Sequence, residues 1–153
     1  MSMTRRDLCK LLPAAMLPVA AAPLADLLPA EAGEQDNSLP SASYAFDKLP
    51  VHNAPSGLQT RAVFKGKLAT GESIETHATT LPPGVMPHAP HHHVHSEMFF
   101  MREGTLELTV NGTMYPLGPG SVGFVRSNEE HGVKNVGTTP ANYFVVAIGP
   151  GVG

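Results

Sequence analysis

Two histidines in a glycine-bounded stretch constrain this chain more than any other feature of its sequence. His91 and His93 are two residues apart, so both imidazoles leave the same face of an extended backbone and can converge on one ion. Glu97 follows after three residues, enough for a tight turn, and opens the apolar run 97–101, which has strand character. Such a strand would return the carboxylate to the same point. The spacing therefore predicts a metal site.

Other histidines crowd the same stretch, and one of them leaves a second ligand set open. His88, His92 and His95 lie beside the pair described above. From the turn spacing we expect His92 and His95 to lie outside the metal shell, although spacing alone does not exclude a set that uses His93 and His95. His95 is a candidate acid or base at the rim of the site, and the other interpretation is a solvent-facing imidazole.

Three histidines lie outside this stretch, and two of them precede it. His52 and His77 each lack a histidine two residues away. Histidine is commonly found at intermediate burial without any functional role. We therefore expect both to be surface or sheet-face residues rather than ligands.

The rest of the chain is typical of short strands separated by turns. Gly and Pro number 15 each in 153 residues, which suits many strands better than long helices. Asn111-Gly112 is the strongest hairpin signal. The runs with strand character are 61–65, 74–81, 97–101, 105–110, 113–117, 122–125 and 142–148. The pattern predicts an all-β domain, either a small antiparallel barrel or a jelly roll.

The histidine stretch resembles the first sequence motif of the cupin superfamily. That motif is Gly, five residues, His-x-His, three or four residues, Glu, six residues, Gly. Here Gly84 is followed by six residues, then His91 and His93, three residues, Glu97, six residues and Gly104. One spacing differs from the family pattern by a single residue.

A later stretch is similar to the second cupin motif, which is Gly, five residues, Pro-x-Gly, two residues, His, three residues, Asn. Gly120, His131 and Asn135 stand at the expected spacings. Arg126 replaces the proline and Asn128 replaces the glycine. These departures affect the turn more than the ligand, because asparagine also tolerates the left-handed geometry that a glycine provides.

The resemblance implies a fold and a ligand set. Cupins are small antiparallel jelly-roll barrels, also called double-stranded β-helices, and here the barrel would cover residues 59–150 with a metal near its open mouth. His91, His93, Glu97 and His131 would bind one divalent transition metal. Three imidazoles and a carboxylate suit Mn, Fe, Ni, Cu, Co or Zn without selecting one of them. A closed structural zinc site is the alternative, although such sites favour cysteine.

The amino-terminal segment is similar to a bacterial twin-arginine export signal. Residues 4–10 read TRRDLCK and precede a stretch rich in Ala, Leu and Pro. We expect residues 1–32 to be a removable signal that directs the protein to the periplasm, with no membrane association afterwards. Residues 33–58 are predicted to be a polar surface arm. The only cysteine, Cys9, falls in the signal, so the metal would be bound by nitrogen and oxygen alone.

Charge and composition limit the partners. The formal net charge of −3 and the lack of a basic stripe argue against nucleic acid. We expect a small-molecule substrate or ligand. Few charges are available to protect exposed strand edges, so we also predict a homodimer.

The motifs imply two classes of function. Cupins with this shell include dioxygenases that act on flavonols and other enolisable compounds, oxalate oxidases and decarboxylases, sugar isomerases, and small bacterial hydroxynitrile lyases. The first hypothesis is a metal-dependent enzyme, dioxygenase-like or lyase-like, that acts on a small oxygenated organic molecule. The alternative is a non-catalytic binding module in which the metal orients a sugar or carboxylate.

Overall fold

The computed structural model describes residues 37–152 of the chain. The predicted export signal, residues 1–32, and the first four residues of the predicted arm lie outside the described residues. Within the described part, no helix is long and apolar enough to cross a bilayer.

Residues 37–152 form nine strands and a single turn of 3-10 helix, Phe46–Lys48. All the strand pairs are antiparallel. The predicted all-β class is therefore confirmed. The strands are β1 (His52–Asn53), β2 (Gln59–Lys67), β3 (Ser73–Leu81), β4 (Ser96–Glu103), β5 (Leu106–Val110), β6 (Thr113–Leu117), β7 (Val122–Val125), β8 (His131–Asn135) and β9 (Ala141–Ile148).

The strands form two sheets that pack face to face as a jelly roll. The larger sheet has the order β1-β2-β3-β9-β4-β7, and the smaller has the order β6-β5-β8. The core between them takes Phe99 and Val145 from the larger sheet and Leu106 and Leu108 from the smaller one. This core fixes which face of each strand points inward, and a one-residue shift in register would reverse those faces.

Turn residues have the backbone geometry that the sequence predicts. Asn111 and Gly112 both have positive φ, 47° and 78°, as a tight hairpin between β5 and β6 requires. Gly104 also has positive φ, 79°, and a Cβ atom there would lie 2.7 Å from the Cα atom of Ala141. The closing glycine of the first motif is therefore required by close packing against β9.

The described part of the arm packs against the outer face of the larger sheet. The backbone N–H of Leu39 donates to the carbonyl of Lys67 at 2.7 Å. The Phe46 ring lies 4.8 Å from the Arg61 guanidinium, and its centroid is 6.4 Å from that of Phe144. The arm therefore covers part of this sheet with an aromatic side chain, despite its polar composition.

Candidate metal centre

A pair of backbone hydrogen bonds fixes His91 beside His131. The His91 N–H donates to the His131 carbonyl at 3.0 Å, and the His131 N–H donates to the His91 carbonyl at 2.8 Å. This isolated antiparallel bridge attaches the histidine stretch to β8. It leaves the two ring centroids 4.8 Å apart. The two cupin-like motifs therefore meet at this point.

The third imidazole completes a compact cluster. The His93 ring centroid is 4.8 Å from that of His131 and 5.2 Å from that of His91. One ring nitrogen from each of these three residues lies within 4.8 Å of the others. Three nitrogens at such separations can bind one ion together with little rearrangement.

Backbone carbonyls set the orientation of two of the rings. The Nδ1–H of His93 donates to the carbonyl of His95 at 3.0 Å, and that of His131 donates to the carbonyl of Glu129 at 2.9 Å. A carbonyl oxygen can only accept, so both Nδ1 atoms carry a proton. Each Nε2 atom is thereby left as the nitrogen available for a metal, the arrangement usual for metal-binding histidines.

Glu97 faces both of these Nε2 atoms. Its Oε1 is 3.3 Å from Nε2 of His93, and its Oε2 is 3.2 Å from Nε2 of His131. When Nδ1 is the protonated nitrogen, a neutral ring presents a lone pair at Nε2, and a carboxylate oxygen repels that lone pair. A metal ion bound between the carboxylate and the two Nε2 atoms would remove this repulsion.

The pKa values reflect this pairing. Burial acts to raise the pKa of Glu97, but the hydrogen bond from His131 and the neighbouring imidazoles outweigh it and hold the pKa below its ordinary value. Burial acts to lower the pKa of His131, but hydrogen bonds to Glu97 and to the Glu129 carbonyl outweigh it and raise the pKa. Without a metal, Glu97 and His131 therefore favour each other's charged forms.

Several buried nitrogen atoms in the cluster have no hydrogen-bond partner within residues 37–152. They are Nδ1 of His91, Nε2 of His93 and Nδ1 of His95. Leaving such atoms unpaired in the interior is costly, and an ion beside Glu97 would satisfy Nε2 of His93. The residues present therefore fit a divalent transition metal.

His95 lies inside the cluster. Its ring stacks on that of His93, with centroids 3.6 Å apart, and its Nε2 is 3.6 Å from Oε1 of Glu97. The side chain is 16% exposed, so it is partly buried rather than solvent-facing. His93, His95 and Glu97 also form a group close enough to bind an ion. Both ligand sets considered from the sequence are thus brought together, with Glu97 beside each, whereas His92 is exposed.

The turn of the second motif supports the histidine stretch directly. Asn128 has a φ of 63°, which confirms that asparagine takes the left-handed conformation of the missing glycine. Its backbone N–H donates to the carbonyl of His93 at 2.8 Å. The Ser127 hydroxyl donates to the carbonyl of Val94 at 2.7 Å. The substitutions in this turn therefore preserve its shape.

Asn135, the last residue of the second motif, has a structural role. Its side chain is fully buried, and its Nδ2 donates to the carbonyls of Leu81 and Thr139, both at 2.8 Å. Its Oδ1 accepts from the Gly137 N–H at 2.9 Å, and its backbone carbonyl accepts from the Gly84 N–H at 2.9 Å. Asn135 thereby attaches the start of the histidine stretch to β8.

A cavity of about 280 Å³ opens beside the cluster, and its wall includes Glu97 and His131. Polar residues that the sequence analysis did not assign to the site also line it: Thr60, His77, Thr79 and Tyr143. His77 does lie on a sheet face, as predicted, but that face is the inner one. The signal in the sequence was the alternation of Glu75, His77 and Thr79, which puts polar side chains where a core strand usually has apolar ones.

Tyr143 is the most buried of these polar residues. Burial raises the pKa of the Tyr143 hydroxyl well above its ordinary value, against a hydrogen bond with Thr79 that lowers it, and the charge of Glu97 raises it further. The hydroxyl therefore remains protonated at any physiological pH.

The comparisons with known proteins agree with this architecture. Residues 77–147 match the family model of a cupin domain, Cupin_2. The barrel has the cupin fold. Comparison with curated proteins gave no sequence match.

Solved structures support the same fold at low sequence identity. An RmlC-like cupin from Shewanella frigidimarina is 18% identical over 72% of this chain and 94% of its own, with a TM-score of 0.59. A predicted oxalate decarboxylase from Thermotoga maritima is 18% identical over 71% and 99%, with a TM-score of 0.60. A sugar phosphate isomerase of the cupin superfamily from Silicibacter pomeroyi is 18% identical over 69% and 74%, with a TM-score of 0.57.

Proposed function

We propose that this protein is a metal-dependent enzyme of the cupin type that acts on a small oxygenated organic molecule. The observation that carries the proposal is the contact between Glu97 and two imidazoles whose Nδ1 atoms are already occupied by backbone carbonyls. His91, His93, Glu97 and His131 would bind one divalent transition metal. With three neutral ligands and a single carboxylate, the centre would keep a net positive charge.

The residues of the chain would prepare this centre for a substrate. A bound metal would supply Lewis-acid or redox chemistry to an oxygen atom of the substrate. The carbonyls of His95 and Glu129 hold the imidazoles in one orientation, and the apolar side chains of Phe99, Val133 and Val145 exclude water from the cavity wall. A dry site strengthens electrostatic interactions with a bound oxygen.

The size of the cavity favours small substrates. Its volume of about 280 Å³ lies just below the range of about 300–1,000 Å³ that is usual for drug-sized ligands. A flavonol would fill or exceed it, so lyase-like chemistry on a compact molecule fits better than dioxygenation of a flavonol. The oxalate decarboxylase and sugar phosphate isomerase named among the structural neighbours also carry names that refer to compact, oxygen-rich molecules.

Elemental analysis followed by activity assays tests the proposal. Protein produced with its native amino-terminal segment should carry about one transition metal per chain, His131→Ala should lose it, and the exposed control His92→Ala should keep it. The metal-bearing protein should then turn over at least one of four substrates: oxalate, a cyanohydrin, an enediol or a flavonol. Protein without metal would contradict the proposal, and ligand binding without product would favour a non-catalytic binding module.

We also propose export by the twin-arginine route. The supporting observation is the motif in residues 4–10 followed by an apolar stretch. Fractionation of a host with and without a functional twin-arginine translocase tests it. An Arg5→Lys, Arg6→Lys double variant should remain in the cytoplasm if the motif directs export.

A homodimer through the β7 edge is the third element of the proposal. β7 is the last strand of the larger sheet, and Val122 and Phe124 on it are 55% and 59% exposed. Phe100, also exposed, lies opposite Val122 on β4. Light scattering should give twice the chain mass, and Phe124→Lys should shift the protein towards the monomer. A monomeric wild-type protein would contradict this part.

A further inference from the structure

The cavity has a second polar end, formed on β2, β3 and β9. Thr60, Thr79 and Tyr143 lie in one row across β2, β3 and β9, because Thr60 is paired with Thr79 and Thr79 is paired with Tyr143. His77 precedes Thr79 by two residues and therefore shares its face of β3. These four side chains, all in the cavity wall, are called the polar wall below.

The hydroxyl groups of the polar wall can both give and receive a hydrogen bond. Tyr143 and Thr79 are buried, at 3% and 5% exposure, and lie opposite each other on neighbouring strands. Each hydroxyl has one hydrogen to donate and lone pairs to accept with. Buried polar capacity of this kind, facing a cavity, is usual at sites that fix the orientation of a ligand.

His77 adds an oriented imidazole to the wall. Its Nδ1 lies 3.5 Å from Oε1 of Glu75, and a carboxylate beside one ring nitrogen favours the proton on that nitrogen. In the neutral ring, Nε2 is then an acceptor. Together with Tyr143 and Thr79, the wall presents both an acceptor and a donor, as an alcohol group requires.

The charges of the two ends differ, and the difference sets the direction of a ligand. At one end, a divalent ion with a single carboxylate ligand retains a net charge of about +1. At the other end, Thr60, Thr79 and Tyr143 offer uncharged hydroxyl groups. A ligand carboxylate is therefore attracted to the metal centre, whereas a neutral hydroxyl is accepted at the polar wall.

We propose that the polar wall is a hydroxyl-binding subsite, and that the cavity takes a short hydroxy acid with its carboxylate at the metal centre and its hydroxyl at Tyr143, Thr79 and His77. The inference rests on the proposed function, because it assigns the substrate class of the same site. Tyr143 lies on β9, next to the strand β4 that carries Glu97, and Thr79 and His77 lie one strand further away on β3. The separation is therefore one to two strand spacings, about 5–10 Å between backbones, which suits a compact, unbranched molecule.

Matched pairs of ligands test the subsite directly. Calorimetric titration of the metal-bearing protein would compare 4-hydroxybutyrate with butyrate, and 5-hydroxypentanoate with pentanoate, because a 2-hydroxy acid would chelate the metal through its own hydroxyl. The hydroxylated member of at least one pair should bind about tenfold more tightly, the effect of one well-placed hydrogen bond. Tyr143→Phe should remove this preference and leave the affinity for the unhydroxylated acid unchanged. Tyr115→Phe, at an exposed tyrosine on β6, is the control and should behave as wild type.

The histidine of the wall is tested in the same way. His77→Ala should reduce the hydroxyl preference severalfold, and the exposed control His52→Ala should not. Glu75 would act on the subsite through His77, so it is a positioning residue. Glu75→Ala should weaken the preference, and Glu75→Gln should restore most of it, because the amide oxygen can still accept from Nδ1 of His77.

Two separate readouts distinguish the possible failures. Wild-type protein without metal, read from elemental analysis before any titration, is a failure of the proposed function. Metal-bearing protein that binds none of the four acids, or that binds both members of each pair equally, overturns the hydroxyl subsite. A preference that survives in Tyr143→Phe overturns it as well. Loss of metal from Tyr143→Phe or His77→Ala would show that the wall supports the centre, and would also overturn the subsite.

Discussion

The two ends of the cavity are built from the same kind of strand but differ in how their residues are assembled. At the metal end, His91, His93 and Glu97 come from one continuous stretch, and a backbone bridge adds His131. At the other end, the polar side chains come from three strands, β2, β3 and β9, and only the pairing of these strands brings them together. One end therefore depends on local spacing and the other on sheet pairing. A site of the first kind can be recognised in a sequence, whereas the second requires the fold.

The largest expected effect is a loss of metal affinity from a substitution at the metal end, compared with little loss from one at the polar wall. His131→Ala removes a ligand that is 2% exposed, so we expect the affinity for the metal to fall by at least about 100-fold, more than for the loss of a residue that only supports a ligand. His77→Ala should change it less than about twofold. Competition with a chromophoric chelator measures both. Equal losses in the two variants would show that the ends are not independent.

A second prediction concerns Asn135, which attaches the histidine stretch to β8. Asn135→Ala leaves the carbonyls of Leu81 and Thr139 and the N–H of Gly137 without their partners, and we expect the free energy of unfolding to fall by about 2–3 kcal/mol. Urea denaturation of the metal-free protein measures it. Asn142→Ala, at a partly exposed asparagine on β9, is the comparison and should cost less. If Asn135→Ala left the free energy of unfolding unchanged, the bridge between His91 and His131 alone would hold the stretch.

The third prediction is that the stability of the metal-free protein depends on pH through Glu97 and His131 at the metal end. In metal-free protein the pKa of Glu97 is lowered, so its contribution to stability is present above the unfolded pKa and is lost as pH falls through the folded pKa. The pKa of His131 is raised, so its contribution is present below the unfolded pKa and is lost as pH rises through the folded pKa. The pair should therefore stabilise the metal-free protein most between about pH 4.5 and 6.5.

Denaturation of metal-free protein from pH 4 to 9 tests this window. Glu97→Gln should flatten the decline above pH 6.5, because His131 then has no carboxylate partner. With metal bound, stability should instead increase with pH in this range, since the ligands must be deprotonated to bind. A profile that is unaffected by Glu97→Gln would contradict the pairing.

The smallest expected effect lies in the turn beside the metal end. Asn128 has positive φ, a conformation that costs an ordinary side chain about 1–2 kcal/mol. Asn128→Ala should therefore destabilise the protein by about 1 kcal/mol, and Asn128→Gly should be close to neutral. Thermal unfolding of both variants provides the measurement. Equal destabilisation by Ala and Gly would assign the effect to the lost amide, which donates to Ser127, rather than to backbone strain.

Much of the fold could be predicted from the sequence because its signals are local. Asn111-Gly112 specifies a hairpin, and alternating residues specify strand faces, so the all-β class and most strands follow directly. The four-residue metal cluster could be proposed because its spacings match a known motif. The position of His95 could not be predicted, since the same spacing along the chain allows a ring that stacks on His93 and a ring that faces solvent. The role of His77 depended on which face of β3 is inward, and only the pairing of β3 with β2 and β9 determines that.

A metal at this centre would also connect the two sheets of the fold. Glu97 belongs to β4 of the larger sheet and His131 to β8 of the smaller sheet, so an ion bound by both would cross-link the two layers at one end of the jelly roll. Without the ion, that end should open locally more often. Amide hydrogen exchange should therefore accelerate around β8, while β2 and β3 keep their protection. The metal would then stabilise the barrel in addition to supplying its chemistry.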